Sequence, residues 1–467
     1  MANFTNFPAA LAAELQTGFL EREFEEGLDS ILGYRREALV ETVPARIGET
    51  ITRTRSGRLT PVTTNIAPAN NTQLDNGLSI GDANIEQYAL TMQQYGHSTD
   101  INLMDDMAAI ANNLERASRN NGVQAAQSLE RIGRANMFTA YLGGNTRVRT
   151  DLAASTTTTC RVDDIRGFTT VLVNGVATPV SGSNKLSVVE TAVGASVVNQ
   201  TLLVSAAVAD GTNKSTVPDG ISGTLTFDTA TAPVNGDALV SANAPQVLRP
   251  YGRSTTAQLT GGDVLTLSIL QDATTILKNN AVPPTDDGTY HVILDNTSMR
   301  QLFADQDFKV LYAGRNQSAE YQSADVISLL DMTFIPTTEA YVQGATSGYN
   351  GATYASGNSG ATGTSALATT VRRPIVVGAE LMIQGDFEGM EHWLDREGVT
   401  AINEVFLIDS VAHIIRPPLD RSGQFCSLTW IWVGGFSCPT DLTATTNIVP
   451  TASNALYKRA CVIEHAG

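Results

Sequence analysis

Between Arg46 and Val247 three stretches of different physical character follow one another, and their order constrains what the chain can build. Arg46 to about Tyr95 is extended and broken by turns. Thr50, Thr52 and Thr54 alternate with Ile51, Arg53 and Arg55, the period of two expected of a strand. Ser56-Gly57, Asn70-Asn71 and Asp75-Asn76-Gly77 are turn signals, Pro61 and Pro68 exclude a central strand, and Ala89 to Gln94 resumes one. A two-stranded excursion with so little apolar content is only marginally stable alone, so it needs a surface to lie on, and a neighbouring subunit is the simplest one. Asp105 to Leu142 then reads as one helix. Met107, Ile110, Ala111, Leu114 and Ala117 form a stripe that Val123, Ala126, Leu129, Ile132 and Met137 continue after a drift at Asn120-Asn121-Gly122. The expected helix is about 55 Å long at ~1.5 Å per residue, bent near Gly122 and stopped at Gly143-Gly144. Gly167 to Val247 is all β by pattern, with seven charged residues and a hairpin signal at Asn174-Gly175. Such turn-punctuated strands predict a small sandwich. It is flanked by Arg147-Val148-Arg149 and Arg249-Pro250-Tyr251, which read as the joints of an insertion. An arm, a long helix and a guest β domain suit a building block that reaches over its neighbours better than an enzyme cleft.

The flanks extend this reading. Leu11 to Leu39 is predicted helical: Phe19, Leu20, Phe24, Leu28, Ile31 and Leu32 recur at three-to-four spacing. Glu21, Glu23, Glu25, Glu26 and Asp29 form an acidic face that is either solvated or meets arginines on a neighbour. Beyond Leu259 the pattern is α/β: a helix over Gly262 to Asn279, a strand at His291 to Leu294 and a helix at Ser298 to Ala304. Residues 343–370 are a low-complexity Gly/Ser/Thr/Ala stretch that reads as a flexible loop. Strands follow at Ile375 to Val377, Ala401 to Ile408, Ala412 to Arg416 and Leu428 to Val433, the last with Trp430 and Trp432 on one face.

Net charge is −17, which argues against binding phosphate chains over the whole surface but leaves room for enclosing them. No apolar run reaches the ~18 residues of a membrane span, and Met1 to Leu20 lacks a signal-peptide pattern. Four scattered cysteines point to reduced thiols and cytosolic folding; a hairpin at Gly434-Gly435 would bring Cys426 near Cys438, but no disulfide is expected. The chain has no phosphate-binding loop and no His-Glu-x-x-His helix. Gly357-Asn358-Ser359-Gly360-Ala361 is not a nucleophile elbow, because no strand precedes it. The five histidines share no ligand spacing, and the adjacent pairs Asp105-Asp106, Asp163-Asp164 and Asp286-Asp287 point apart. No catalytic residue, cofactor or metal is expected.

The run from Val43 to Arg55 (Val-Pro-Ala-Arg-Ile-Gly-Glu-Thr-Ile-Thr-Arg-Thr-Arg), then Gln93-Gln94-Tyr95-Gly96, the long helix, and Arg372-Arg373-Pro374-Ile375-Val376-Val377-Gly378 resemble, in that order, the tailed-bacteriophage major capsid proteins of the Johnson fold, podophage branch. The resemblance covers most of the chain outside 151–248. It implies an α+β capsid fold: an N-terminal arm (1–45), an extended loop (46–96), a peripheral domain with a spine helix (97–150), an inserted all-β, Ig-like sandwich domain (151–248), an axial domain (249–400, flexible loop 343–370) and C-terminal strands returning to the peripheral domain (401–467). It implies a non-enzymatic virion subunit, assembled in the host cytoplasm. Its partners would be its own copies in hexamers and pentamers, a portal, a scaffolding protein and a decoration protein. It would enclose double-stranded DNA without reading its sequence and would touch no membrane. Arg46, Arg53, Arg55 and Arg58 are the candidate interface residues, facing carboxylates of an adjacent subunit such as Glu21, Glu25, Glu26 and Asp29. Some family members crosslink through a lysine on the extended loop; this chain has none between Arg46 and Tyr95. The competing readings are an encapsulin-like nanocompartment shell and a surface-layer or adhesin protein.

Overall fold

The computed structural model describes residues 19–29, 33–44, 49–56, 85–102, 113–149, 156, 158–173, 176–191, 199–230, 233–242, 244–313, 328–343, 369–390, 393–394, 403–418, 421, 423–438 and 458–467. The expectations for Arg46, Arg58, the turns over 57–84, Asp105-Asp106, Asn174-Gly175 and Ser359 lie outside these residues. So does almost all of the loop 343–370.

The first described element is an arm helix, Phe19–Leu28. The predicted helix does not run on to Leu39: a 3-10 turn at Arg35–Glu37 leads into strand β1, Ala38–Val43. At that turn the buried carboxylate of Glu130 accepts the backbone N–H groups of Tyr34 and Arg35. Strands β2 (Thr50–Ser56) and β3 (Ile85–Thr91) then form an antiparallel ribbon, from Thr50 opposite Thr91 to Ser56 opposite Ile85. Strand β4 (Gln93–Asn102) precedes the spine helix, Asn113–Leu142. That helix runs through Gly122 without interruption, about 45 Å at 1.5 Å per residue. Gly122 serves close packing: a Cβ there would collide with the Phe24 carbonyl of the arm helix.

The next strands are β5 (Asn145–Arg147), β6 (Thr159–Val162), β7 (Thr170–Val173), β8 (Val176–Pro179), β9 (Leu186–Thr191), β10 (Asn199–Ala209), β11 (Gly223–Phe227) and β12 (Ala238–Ser241). The predicted hairpin is present as the pair β7–β8. The predicted Ig-like sandwich is not. One six-stranded sheet, ordered β5-β12-β9-β10-β11-β6, closes on itself as an antiparallel barrel. Closure is made by the Val148–Val162 bridge, with Arg149 N–H donating to the Arg161 carbonyl at 2.9 Å and Asp163 N–H to the Arg147 carbonyl at 3.1 Å. Closure leaves no open sheet edges. Alternate residues then fill one interior, including Val148, Val162, Val188, Val204, Leu225 and Phe227. Sequence period alone does not distinguish this from two facing sheets.

Strands β13 (Val247–Leu248), β14 (Tyr290–Leu294), β15 (Ser328–Leu329), β16 (Met332–Pro336), β17 (Val342–Gln343), β18 (Val371–Arg372) and β19 (Ile375–Val377) follow, with helices at Leu267–Asn279, Asn296–Ala304 and Gln306–Ala313. The chain closes with β20 (Met382–Phe387), β21 (Glu404–Ile408), β22 (Val411–Arg416), β23 (Phe425–Ser437), β24 (Ala460–Ile463) and β25 (His465–Ala466). The thirteen-residue β23 organises one sheet: it pairs with β4, β22 and β20, and β1 adds in parallel to β20. The spine helix packs against this sheet through Leu129, Met137 and Phe138, in a core that includes Trp430 and Trp432. A second sheet, β13-β24-β19-β14-β16-β15, has the wholly buried β14 near its centre and Leu267–Asn279 against it.

Two expectations for the C-terminal region need correction. Strand β23 does not turn at Gly434-Gly435: it continues through them to Ser437, and a Cβ on either glycine would collide with the Trp432 ring or the Thr91 carbonyl. Cys426 and Cys438 therefore lie at opposite ends of it, and both are buried free thiols. Residues 460–466 do not return with β21–β23. Strand β24 pairs with β13 and β19, and β25 with β18; Cys461 and Ile463 of β24 enter the second core, while Ala460 and Val462 enter the first.

Candidate subunit interface and buried polar joint

Of the candidate interface arginines, Arg53 is placed in full. From β2 its Nη2 reaches Glu41 of β1 at 2.5 Å. Arg55 lies opposite Glu86 in the ribbon. On the arm helix Glu25, Glu26 and Asp29 are exposed and Glu21 is half-buried. Glu26 pairs with Arg119 of the spine helix at 2.7 Å. Among the described residues no ion pair joins Arg53 to this acidic face, so the chain does not bring the two candidate sets together within itself.

A built polar cluster lies elsewhere, where the barrel meets the body. Asp163, at the barrel closure, receives Arg147 Nε at 3.1 Å and Arg149 Nη1 at 3.2 Å. Arg147 also donates to Thr216 Oγ1 (3.3 Å), as does Gln343 Nε2 (2.7 Å). Gln343 accepts from Arg373 Nη2 at 2.6 Å, and Arg373 Nε donates to Glu464 Oε1 at 2.9 Å. The other oxygen of Glu464 takes Arg249 Nε at 2.8 Å and Thr256 Oγ1 at 2.7 Å. One continuous network thus links both joints of the insertion to the C-terminal strand. A second pair, Asp164 with Arg166, reaches the spine helix through Thr139.

Burial alone would raise the Glu464 carboxyl, but Arg249 and Arg373, with their hydrogen bonds, outweigh it and hold it down at about 2. Asp163 is likewise lowered: burial opposes ionisation, and Arg147, Arg149 and Thr216 overcome it. The Tyr341 hydroxyl, which donates to the Pro218 carbonyl, is pushed by burial up to about 12. Groups fixed this far from neutrality do not exchange protons at working pH; the cluster joins parts of the chain. The cavity beside it, lined by Arg147, Asp163, Arg249, Arg373 and Glu464, is only about 30 Å³. A larger groove of about 610 Å³ between the spine helix and the barrel is lined by Ile132, Asn136, Thr139, Ile221 and Phe436 and by the Arg166 already paired with Asp164. Among the described residues no group of three His, Cys, Asp or Glu could hold a metal, and no helix is long and apolar enough to cross a membrane.

The arginines of this joint at 147, 149 and 249 stand out in the sequence, but their partners do not. The adjacent Asp163 and Asp164 do not converge, as expected: each side chain goes to a different arginine. No local signal points to Arg373 or Glu464, more than ninety residues apart.

The fold and the joint define an α+β protein whose buried charges tie a closed β-barrel, a long helix and two sheets into one body. No protein-family model matches this chain, and no curated protein matches it. Among solved structures it is similar to the capsid of Ralstonia phage GP4, with 9% identity over 94% of this chain and 92% of that one and a TM-score of 0.46. It is also similar to the capsid asymmetric unit of cyanophage Pam1 (9% identity, 91% and 87% covered, TM-score 0.47) and to the capsid of cyanophage P-SCSP1u (11% identity, 94% and 89% covered, TM-score 0.42).

Proposed function

We propose that this chain is a structural, non-enzymatic subunit that self-assembles into the icosahedral capsid enclosing the double-stranded DNA of a tailed bacteriophage. The observation that carries the reading is the β2–β3 ribbon. Seven residues pair with seven, and the base is anchored on the body through buried Tyr88 and Leu90 and the Arg53–Glu41 pair. A two-stranded ribbon is marginal in water by itself, so a ribbon leaving a well-packed body suits an element completed by a neighbouring copy. The arm helix clamped across the spine helix gives each copy a rigid frame from which to reach. Exposed Glu25 and Asp29 remain the acidic partners proposed for arginines of an adjacent subunit. Hexamers and pentamers of this chain, a portal, a scaffolding protein and a decoration protein belong to the same proposal, as do assembly in the host cytoplasm and an inserted barrel that folds as a unit. The net charge of −17 suits an inner wall that contains DNA without gripping it.

Electron microscopy of the expressed chain, with and without its phage's scaffolding protein, tests the reading. Closed icosahedral particles are expected, and particles purified from phage are expected to hold nuclease-protected double-stranded DNA. Soluble monomers under every condition would rule out a shell. Shells that never contain nucleic acid would favour a nanocompartment.

A further inference from the structure

Tyr251 is the most exposed large hydrophobic side chain among the described residues, with 75% of its surface open. Its backbone is left-handed, φ 53 and ψ 25. Residues with a Cβ rarely adopt that conformation; Asn and Asp tolerate it, and bulky side chains are outliers. Eight described non-glycine residues have positive φ, and Tyr251 is the only aromatic one. The turn is braced on both sides. Buried Pro250 fixes the preceding φ, Arg249 is tied to Glu464 and to the Ser254 carbonyl at 2.9 Å, and Arg253 holds Asp263 at 3.2 Å. Among the described residues no hydrogen bond or ring contact draws the Tyr251 ring onto its own chain. The backbone strain is thus held by the surroundings, and the ring returns no packing inside the subunit. Strain of this kind is kept where something outside the fold uses it.

We infer that Tyr251 is an assembly anchor, its ring docking on a second copy of this chain. The inference rests on the shell reading above and names a contact within it. Nucleic acid is the poorer occupant. The flanking arginines are each committed to a buried carboxylate of the same chain, and the chain is strongly acidic, so no basic track leads a phosphate backbone past the ring. Tyrosine is enriched at protein interfaces, where it buries a large, rigid area. The position fits, because Tyr251 follows β13, the edge strand of the second sheet, and sheet edges are where a second chain adds.

The test compares full-length wild type, Tyr251→Gly and Tyr251→Phe. Glycine removes the ring and relieves the backbone, so isolated Tyr251→Gly subunits are expected to unfold at the same or a higher temperature than wild type. Their yield of sedimenting particles is expected to fall at least about tenfold, with Tyr251→Phe within about twofold of wild type. Particle yield unchanged in Tyr251→Gly would overturn the inference and leave the shell reading intact. A lower unfolding temperature in Tyr251→Gly would also overturn it, by showing that the ring serves its own fold. Wild type that forms no particles would overturn the shell reading and this inference with it.

Discussion

Gly27 of the arm helix and Gly122 of the spine helix meet backbone to backbone: a Cβ on Gly27 would lie 2.5 Å from the Arg119 carbonyl oxygen, and one on Gly122 would strike the Phe24 carbonyl. Neither side can yield, because the obstructing atoms are main chain. The arm is therefore seated by the absence of two side chains, with Ser118 Oγ donating to the Leu20 carbonyl at 2.9 Å beside the crossing.

Gly122→Ala measures that contact. In an isolated helix the change would stabilise by up to ~1 kcal/mol. Here overpacking is expected to dominate, with a net loss of about 1–3 kcal/mol in denaturant unfolding. A more stable variant would show that the helices do not touch.

Glu464→Gln leaves Arg249 and Arg373 buried without a counter-charge. Breaking a buried pair from one side costs about 3–5 kcal/mol. The folded carboxyl lies at about 2, below its ordinary value of 4.5. Its contribution is therefore complete above pH 4.5 and is lost as the pH falls toward 2. Urea unfolding at stepped pH should show the variant's deficit at neutral pH shrinking across that window. A deficit independent of pH would count against the pairing.

His413 is stacked on Phe24 of the arm helix, with ring centroids 4.3 Å apart and planes at 12°. Among the described residues neither of its ring nitrogens has a hydrogen-bond partner. Burial lowers its pKa from 6.5 to about 3. Between those values the unfolded chain binds the proton and the folded chain does not, so stability falls as pH drops from 6.5 to 3. His413→Phe is expected to flatten that part of the stability profile. An unchanged slope would assign the acid sensitivity elsewhere.

The barrel is expected to fold alone. A fragment spanning 143–249 should be soluble, β-rich and cooperative in thermal unfolding, because its core is drawn from residues 148–239 and its edges close on each other. The fragment lacks Gln343, Arg373 and Glu464, so it should melt below the barrel in the whole chain. A fragment without a melting transition would make the strands dependent on the body.

No covalent link is expected between subunits. An isopeptide bond from the extended loop needs a lysine there, and none lies between Arg46 and Tyr95. Boiled particles should run as one band at the monomer mass; a ladder would refute this. Oxidation is no substitute, since all four cysteines are buried and burial pushes each thiol up to about 12.

Much of the secondary structure is written in local periodicity. The spine helix follows from its three-to-four stripe, the ribbon from alternating Thr and Arg, and the common face of Trp430 and Trp432 from strand alternation. These depend only on neighbours along the chain and can be read without the fold. Tertiary structure decided what depends on distant partners. Glu130, 96 residues away, accepts the backbone N–H of Tyr34 at the turn into β1. Thr91 and Trp432 crowd Gly434 and Gly435, so that the pair marks a close approach and not a turn. The Val148–Val162 bridge turns a strand series into a barrel. The arginines' choice of Asp163 and Glu464 is of the same kind: charge is visible in sequence, but the partner is selected by which elements the buried cores bring together, and that choice exists only once the chain is packed.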